Sequence, residues 1–194
     1  QEAVTNAVIH RNYAIPNDIQ IRFFDDRVEV ESPGAFPGNI TVNNIRTERY
    51  SRNPVILRTL NRFQGSPNLD VGEGVDRMFQ VMRENNLYEP RYAPPTVRPH
   101  SVLLGLLNII RVEEWDTVNA YLDRNFIIAN EQARQITGIR DTLKMSRLLK
   151  SWVEKGLLEK AQGESKRHAF YKKPGIERPD ELAVPLSEGG ENEN

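Results

Sequence analysis

The chain contains no cysteine, which excludes a disulfide framework, a thiolate-ligated zinc and a thiolate nucleophile. Histidine is scarce, with His10, His100 and His168 far apart in sequence, so metal or redox chemistry is not expected. No apolar run approaches the roughly 20 residues of a membrane span. The N-terminal QEAVTNAVIHRNY is short and amphipathic rather than charged-then-apolar, as a secretory leader would be. No membrane partner is expected, and a cytoplasmic location follows by exclusion. The Gly-x-x-x-x-Gly-Lys-Ser/Thr phosphate loop is also missing, and lysine is absent from residues 1–111.

What is present is enough for one large or two small folded domains: 194 residues, 38% of them hydrophobic. The net charge of -1 hides a marked asymmetry. Residues 1–111 carry 13 Arg against 12 acidic groups, residues 134–173 carry 11 basic against 4 acidic groups, and residues 174–194 carry 6 acidic groups against 1 Arg. A basic module therefore lies between a neutral domain and an acidic tail whose composition predicts disorder.

Ala3, Val4, Ala7 and Val8 mark one face of a helix over residues 1–11, with Glu2, Asn6 and His10 forming a polar stripe beside it. A helix already under way at residue 1 implies a longer protein. Residues 19–24 and 27–32 alternate around Asp25-Asp26 and predict a hairpin, ended by Pro33, Gly34, Pro37 and Gly38. Asn53-Pro54 predicts a capped helix start with a run to about Phe63, and Val75, Met78, Phe79 and Met82 predict another helix. After prolines at 90, 94, 95 and 99, the run 102–110 reads as a strand closing the first sheet.

Residues 113–124 predict a helix with Trp115, Val118, Tyr121 and Leu122 inward, and Asn130 is read as the cap of a second, running to Gln135. Gly138 supplies the turn into a third helix over 139–155, with Leu143, Met145, Leu148, Leu149, Trp152 and Val153 available for burial. Gly156 ends it, and 157–160 and 168–171 read as two short strands. The fold class is α/β (α+β): a sheet-and-helix domain over 1–111, a winged helix-turn-helix over 112–173, and the tail 174–194.

Arg140, Lys144 and Arg147 fall at i, i+4 and i+7 of the third helix, and Lys166 and Arg167 at the tip of the final hairpin. Such a pair of sites suits a recognition helix in the major groove of double-stranded DNA and a wing on its phosphates. Two other readings share these residues: cations kept for solubility, and a helix-turn-helix that binds protein. A homodimer on paired half-sites is expected for such modules, although no heptad defines its interface.

Glu2-Ala-Val-Thr-Asn6-Ala-Val-Ile-His10-Arg-Asn-Tyr13, the hairpin ending Ser32-Pro33-Gly34-Ala-Phe-Pro37-Gly38, Arg52-Asn53-Pro54 and Gly72-Glu73-Gly74 follow one another in order. Over roughly residues 1–110 this series resembles the RecG-like helicase C-terminal domain, an ATPase-like domain of the fold shared by gyrase, histidine kinases and mismatch-repair ATPases. That domain usually follows an AlbA-type, Schlafen-related domain in transcriptional regulators, and the following winged helix is similar to their C-terminal module. The resemblance implies ATP and Mg as cofactors, Glu2 as general base and Asn6 as a magnesium ligand. It places His10, Gly34, Arg52, Gly72 and Gly74 around the nucleotide, the two last at a helix N-terminus suited to an anion. Active members carry an Asp two residues before the first of these glycines to read the adenine amino group, where this chain has Ser32. Without such roles, the polar residues would be a solvated helix face and the glycines turn geometry. The expectation is a DNA-binding transcriptional regulator with a degenerate ATPase-like domain. The alternatives are a nucleotide hydrolase coupled to DNA and an interaction scaffold.

Overall fold

The computed structural model describes residues 1–63, 73–161 and 169–175. Helix α1 (Glu2–Ile9) buries Ala3, Ala7 and Ile9. Strands β1 (Gln20–Phe23) and β2 (Arg27–Pro33) form the expected hairpin, closed by the Phe24 amide donating to the Arg27 carbonyl at 2.9 Å. Alternation divides β2 between two faces. Val30 and Ser32 turn inward under α1, while Glu29 and Glu31 face outward and accept from Arg22 at 3.3 and 2.6 Å.

Helices α2 (Pro54–Leu60) and α3 (Gly74–Glu84) precede the two-residue β3 (Arg91–Tyr92) and β4 (Ser101–Leu107). The four strands are antiparallel in the order β1-β2-β4-β3. The apolar run therefore does not close the sheet. It lies inside it, with Leu104 opposite Val30 on one side and Tyr92 on the other. Strand β3 carries too few residues to show a period of two, and only pairing with β4 defines it. Ala3, Ala7, Val30, Met78, Tyr92 and Leu104 form the first core.

The second half contains α4 (Glu113–Asn125), β5 (Ile127–Ala129), α5 (Asn130–Thr137), α6 (Thr142–Glu154), β6 (Glu159–Ala161) and β7 (Phe170–Lys172). Three helices thus accompany an antiparallel sheet of order β5-β7-β6. The final strands lie one to two residues later than their sequence pattern suggests, because Leu157 and Leu158 are buried in the core before pairing begins. Met145, Leu149 and Trp152, at helical spacing on α6, are at most 1% exposed. Burying each such side chain contributes about 1.5–3 kcal/mol.

Three local readings of the sequence are corrected. Asn53 does not cap α2 through its side chain; its Nδ2 donates to the carbonyls of Ile9 and Arg11, both at 2.8 Å, and ties α2 to the end of α1. Asn130 likewise is not a cap: it lies in the first turn of α5, and its Nδ2 donates to Ser146 Oγ of α6 at 2.9 Å. The third helix begins later than expected because Asp141 accepts from the Leu143 and Lys144 amides at 2.7 and 3.0 Å, which fixes the first turn there. Arg140 consequently precedes α6 rather than lying on it, and Leu143 is 68% exposed rather than buried.

The second core crosses the expected break at 111/112. Tyr88 and Leu107 from the first half join Trp115, Val118, Leu149 and Trp152. Trp152 Nε1 donates to Tyr88 Oη at 3.2 Å, and the Tyr88 and Trp115 rings meet edge to face at 5.8 Å. No helix among the described residues is long and apolar enough to cross a membrane.

Candidate functional site

A cavity of about 280 Å³ lies between α1, the inner face of the sheet, the loop after β2 and the starts of α2 and α3. Its walls are largely apolar: Val30, Tyr92, Val102 and Leu104 come from the sheet, Phe36 and Ile40 from the loop. Among these walls three buried polar atoms, Asn6 Nδ2, His10 Nδ1 and Ser51 Oγ, have no hydrogen-bond partner among the described residues. Buried polar groups are ordinarily paired, so three orphans lining one cavity mark it as a place for a polar ligand.

The helical spacing of Glu2 and Asn6 brings both side chains to the start of α3. A Cβ on Gly74 would stand 3.0 Å from Glu2 Oε2, 3.3 Å from Asn6 Nδ2 and 3.4 Å from Asn6 Oδ1. Glycine there permits the close approach of α3 to α1 and leaves the first turn of α3 open beside an amide and a carboxylate. The Glu2 side chain is 13% exposed, with Arg77 Nη1 3.9 Å away.

At the other end of α1, His10 is held below its ordinary pKa by burial and then by the Arg52 charge, so its imidazole is neutral at physiological pH. Burial also pulls Arg52 below its usual value. Its guanidinium lies across Gly34 and donates to the Ala35 carbonyl. Gly34 has φ +105°, and a Cβ there would collide with Arg52 and come within 2.6 Å of Asn12 Cβ. Gly34 and Arg52 therefore form a backing layer outside the cavity lining. Ser32 does line it, and its buried hydroxyl donates to the Ala7 carbonyl at 2.9 Å.

The cavity thus unites Asn6, His10 and Gly74, with Glu2 at its edge, whereas Gly72 lies outside the described residues. Ser51 and Tyr92 were missed by sequence reasoning. The serine adjoins Arg52-Asn53-Pro54 without a pattern of its own, and the tyrosine sits on the unrecognised β3. Burial pushes the Tyr92 phenol well up, so it stays protonated.

The cations of the second half lie elsewhere. Lys144 and Arg147 are exposed on α6, opposite Met145, Leu149 and Trp152. Lys144 Nζ has Glu114 Oε1 at 3.9 Å, and the Arg140 carbonyl accepts from Arg134. Lys166 and Arg167 lie outside the described residues, as does the tail from residue 176. Among the described residues no cluster of His, Cys, Asp and Glu is arranged to hold a metal ion alone.

Residues 17–100 match the family model described as "Putative ATP-dependent DNA helicase recG C-terminal". The match includes Ser32, Gly34, Arg52, Gly72 and Gly74 and begins after Glu2, Asn6 and His10. None of the curated proteins searched matches the chain. Among solved structures, the chain is similar to the crystal structure of the DIP2311 protein from Corynebacterium diphtheriae, at 22% identity and a TM-score of 0.48. That similarity covers 89% of this chain, which spans only 39% of the other. Residues 17–100 are thus similar to the RecG C-terminal family, over less than half of the chain.

Proposed function

We propose that this chain is a DNA-docking part of a cytoplasmic transcriptional regulator, a winged helix-turn-helix attached to an ATPase-like domain that takes a nucleotide. The observation that carries the DNA reading is α6: a helix locked by Met145, Leu149 and Trp152 that presents Lys144, Arg147 and the uncapped side chain of Leu143 to solvent. Cations on such a helix bind phosphates or guanine edges, and an exposed leucine suits a thymine methyl. Arg140, just ahead of the helix, extends the same surface, and Lys166 and Arg167 would supply the wing.

The test is binding of random duplex DNA over a salt series, comparing the intact chain with Arg140→Ala/Lys144→Ala/Arg147→Ala. Affinity should fall steeply with salt, and the triple variant should bind more weakly with a log-log slope shallower by about 3. Absence of binding at low salt rejects this reading in favour of a protein-interaction module.

The orphaned atoms of the cavity support the nucleotide part. ATP fits the donor set: apolar walls for the base, Asn6 oxygen for magnesium, and His10 toward phosphate, with the Arg52 charge behind it. Because the Ser32 proton is directed to Ala7, the hydroxyl lone pairs are left to accept from an adenine amino group. Bound magnesium would neutralise phosphate charge. Calorimetric titration with Mg-ATP tests binding, and turnover abolished by Glu2→Gln would favour the second reading, a hydrolase with Glu2 as general base.

A further inference from the structure

The segment 88–92 touches both candidate sites. Tyr88 is 2% exposed and holds Trp152 of α6 through the 3.2 Å hydrogen bond from the indole. Pro90 is buried and fixes its own φ. Arg91 lies against Gly156, where α6 ends: a Cβ on that glycine, at φ +62°, would strike the guanidinium, with Cζ at 2.9 Å. Tyr92, the next residue, pairs with Leu104 and forms part of the cavity wall, its ring 6.1 Å from Phe36. At about 3.3 Å per extended residue, only about 13 Å of stiff chain separates the residue gripping α6 from the one facing the cavity.

We propose that residues 88–92 are a coupling strap, through which occupation of the cavity at Tyr92 changes the seating of α6 and hence its affinity for DNA. The proposal rests on the reading of the cavity as a nucleotide site and α6 as a DNA face. Displacement of Tyr92 by a ligand is passed to Trp152 and Gly156 because packed aromatic clusters shift between discrete arrangements rather than deforming continuously. By linkage, DNA must change nucleotide affinity by the same factor.

The experiment measures duplex affinity of the intact chain with and without saturating Mg-ATP, while equilibrium dialysis establishes separately that ATP binds. The expected result is a change in Kd of at least about fivefold, the same factor in ATP affinity when DNA is added, and a factor near one in Tyr88→Phe. That variant removes the hydroxyl that holds Trp152 and keeps the ring. Trp152→Phe, on the other side of the bond, serves as the second variant should Tyr88→Phe melt early. Both ligands bound with a smaller factor, or an undiminished factor in the folded variants, overturns the strap while leaving the proposed function standing. No ATP binding, or no DNA binding, removes the reading beneath it and the strap falls too.

Discussion

Gly34→Ala is the most exacting substitution available in the candidate site. At φ +105° an alanine pays a backbone cost of about 1–3 kcal/mol. Its methyl would also stand 2.6 Å from Asn12 Cβ and overlap the Arg52 guanidinium, where carbon contacts prefer about 3.5–4.0 Å. Arg52 must then leave, giving up its bond to the Ala35 carbonyl, a loss of about 1 kcal/mol. The expected destabilisation is the sum, about 2–4 kcal/mol, read as a fall in the urea midpoint at unchanged slope. In an Arg52→Ala background the overlap with the guanidinium is already gone, so the same Gly34→Ala change should cost about 1 kcal/mol less. A loss below about 1 kcal/mol, or identical losses in the two backgrounds, would refute the assignment of Gly34 as the seat of Arg52.

Other predictions follow from the same contacts. His10 takes up a proton less readily folded than unfolded, so stability should fall as pH drops through the ordinary value of 6.5 toward the lower folded one. His10→Gln should flatten that part of the pH profile in thermal melts; an unchanged profile removes the burial argument. The Asp141 carboxylate is held below its ordinary pKa by the amides of Lys144 and then Leu143. Its contribution is present above the unfolded value of 3.8 and lost as pH falls through the folded one, so Asp141→Ala should lower the melting temperature at neutral pH while Asp141→Asn, still a cap, largely preserves it. Leu149→Ala, at a fully buried site, should cost about 2–5 kcal/mol. Because its core includes Tyr88 and Leu107, that loss should appear in one cooperative transition, and separate transitions for the two halves would contradict the shared core.

Elements whose residues repeat along one stretch of chain are legible without any partner. The alternation around Asp25-Asp26 specified the hairpin, the spacing of Met145, Leu149 and Trp152 specified the buried face of α6, and Glu2, Asn6 and His10 were legible as one stripe because helical geometry alone puts them there. What those elements face depends on long-range packing. Asn53 and Asn130 have the chemistry of caps, yet partners distant in sequence, Ile9 and Ser146, claim their side chains. Strands β3 and β5 are too short to carry a period and exist through pairing with β4 and β7. Ser51 and Tyr92 enter the cavity, and Tyr88 enters the second core, through packing between segments remote in sequence. Local periodicity encodes which side of an element is apolar; which other element covers that side is a property of the assembled chain.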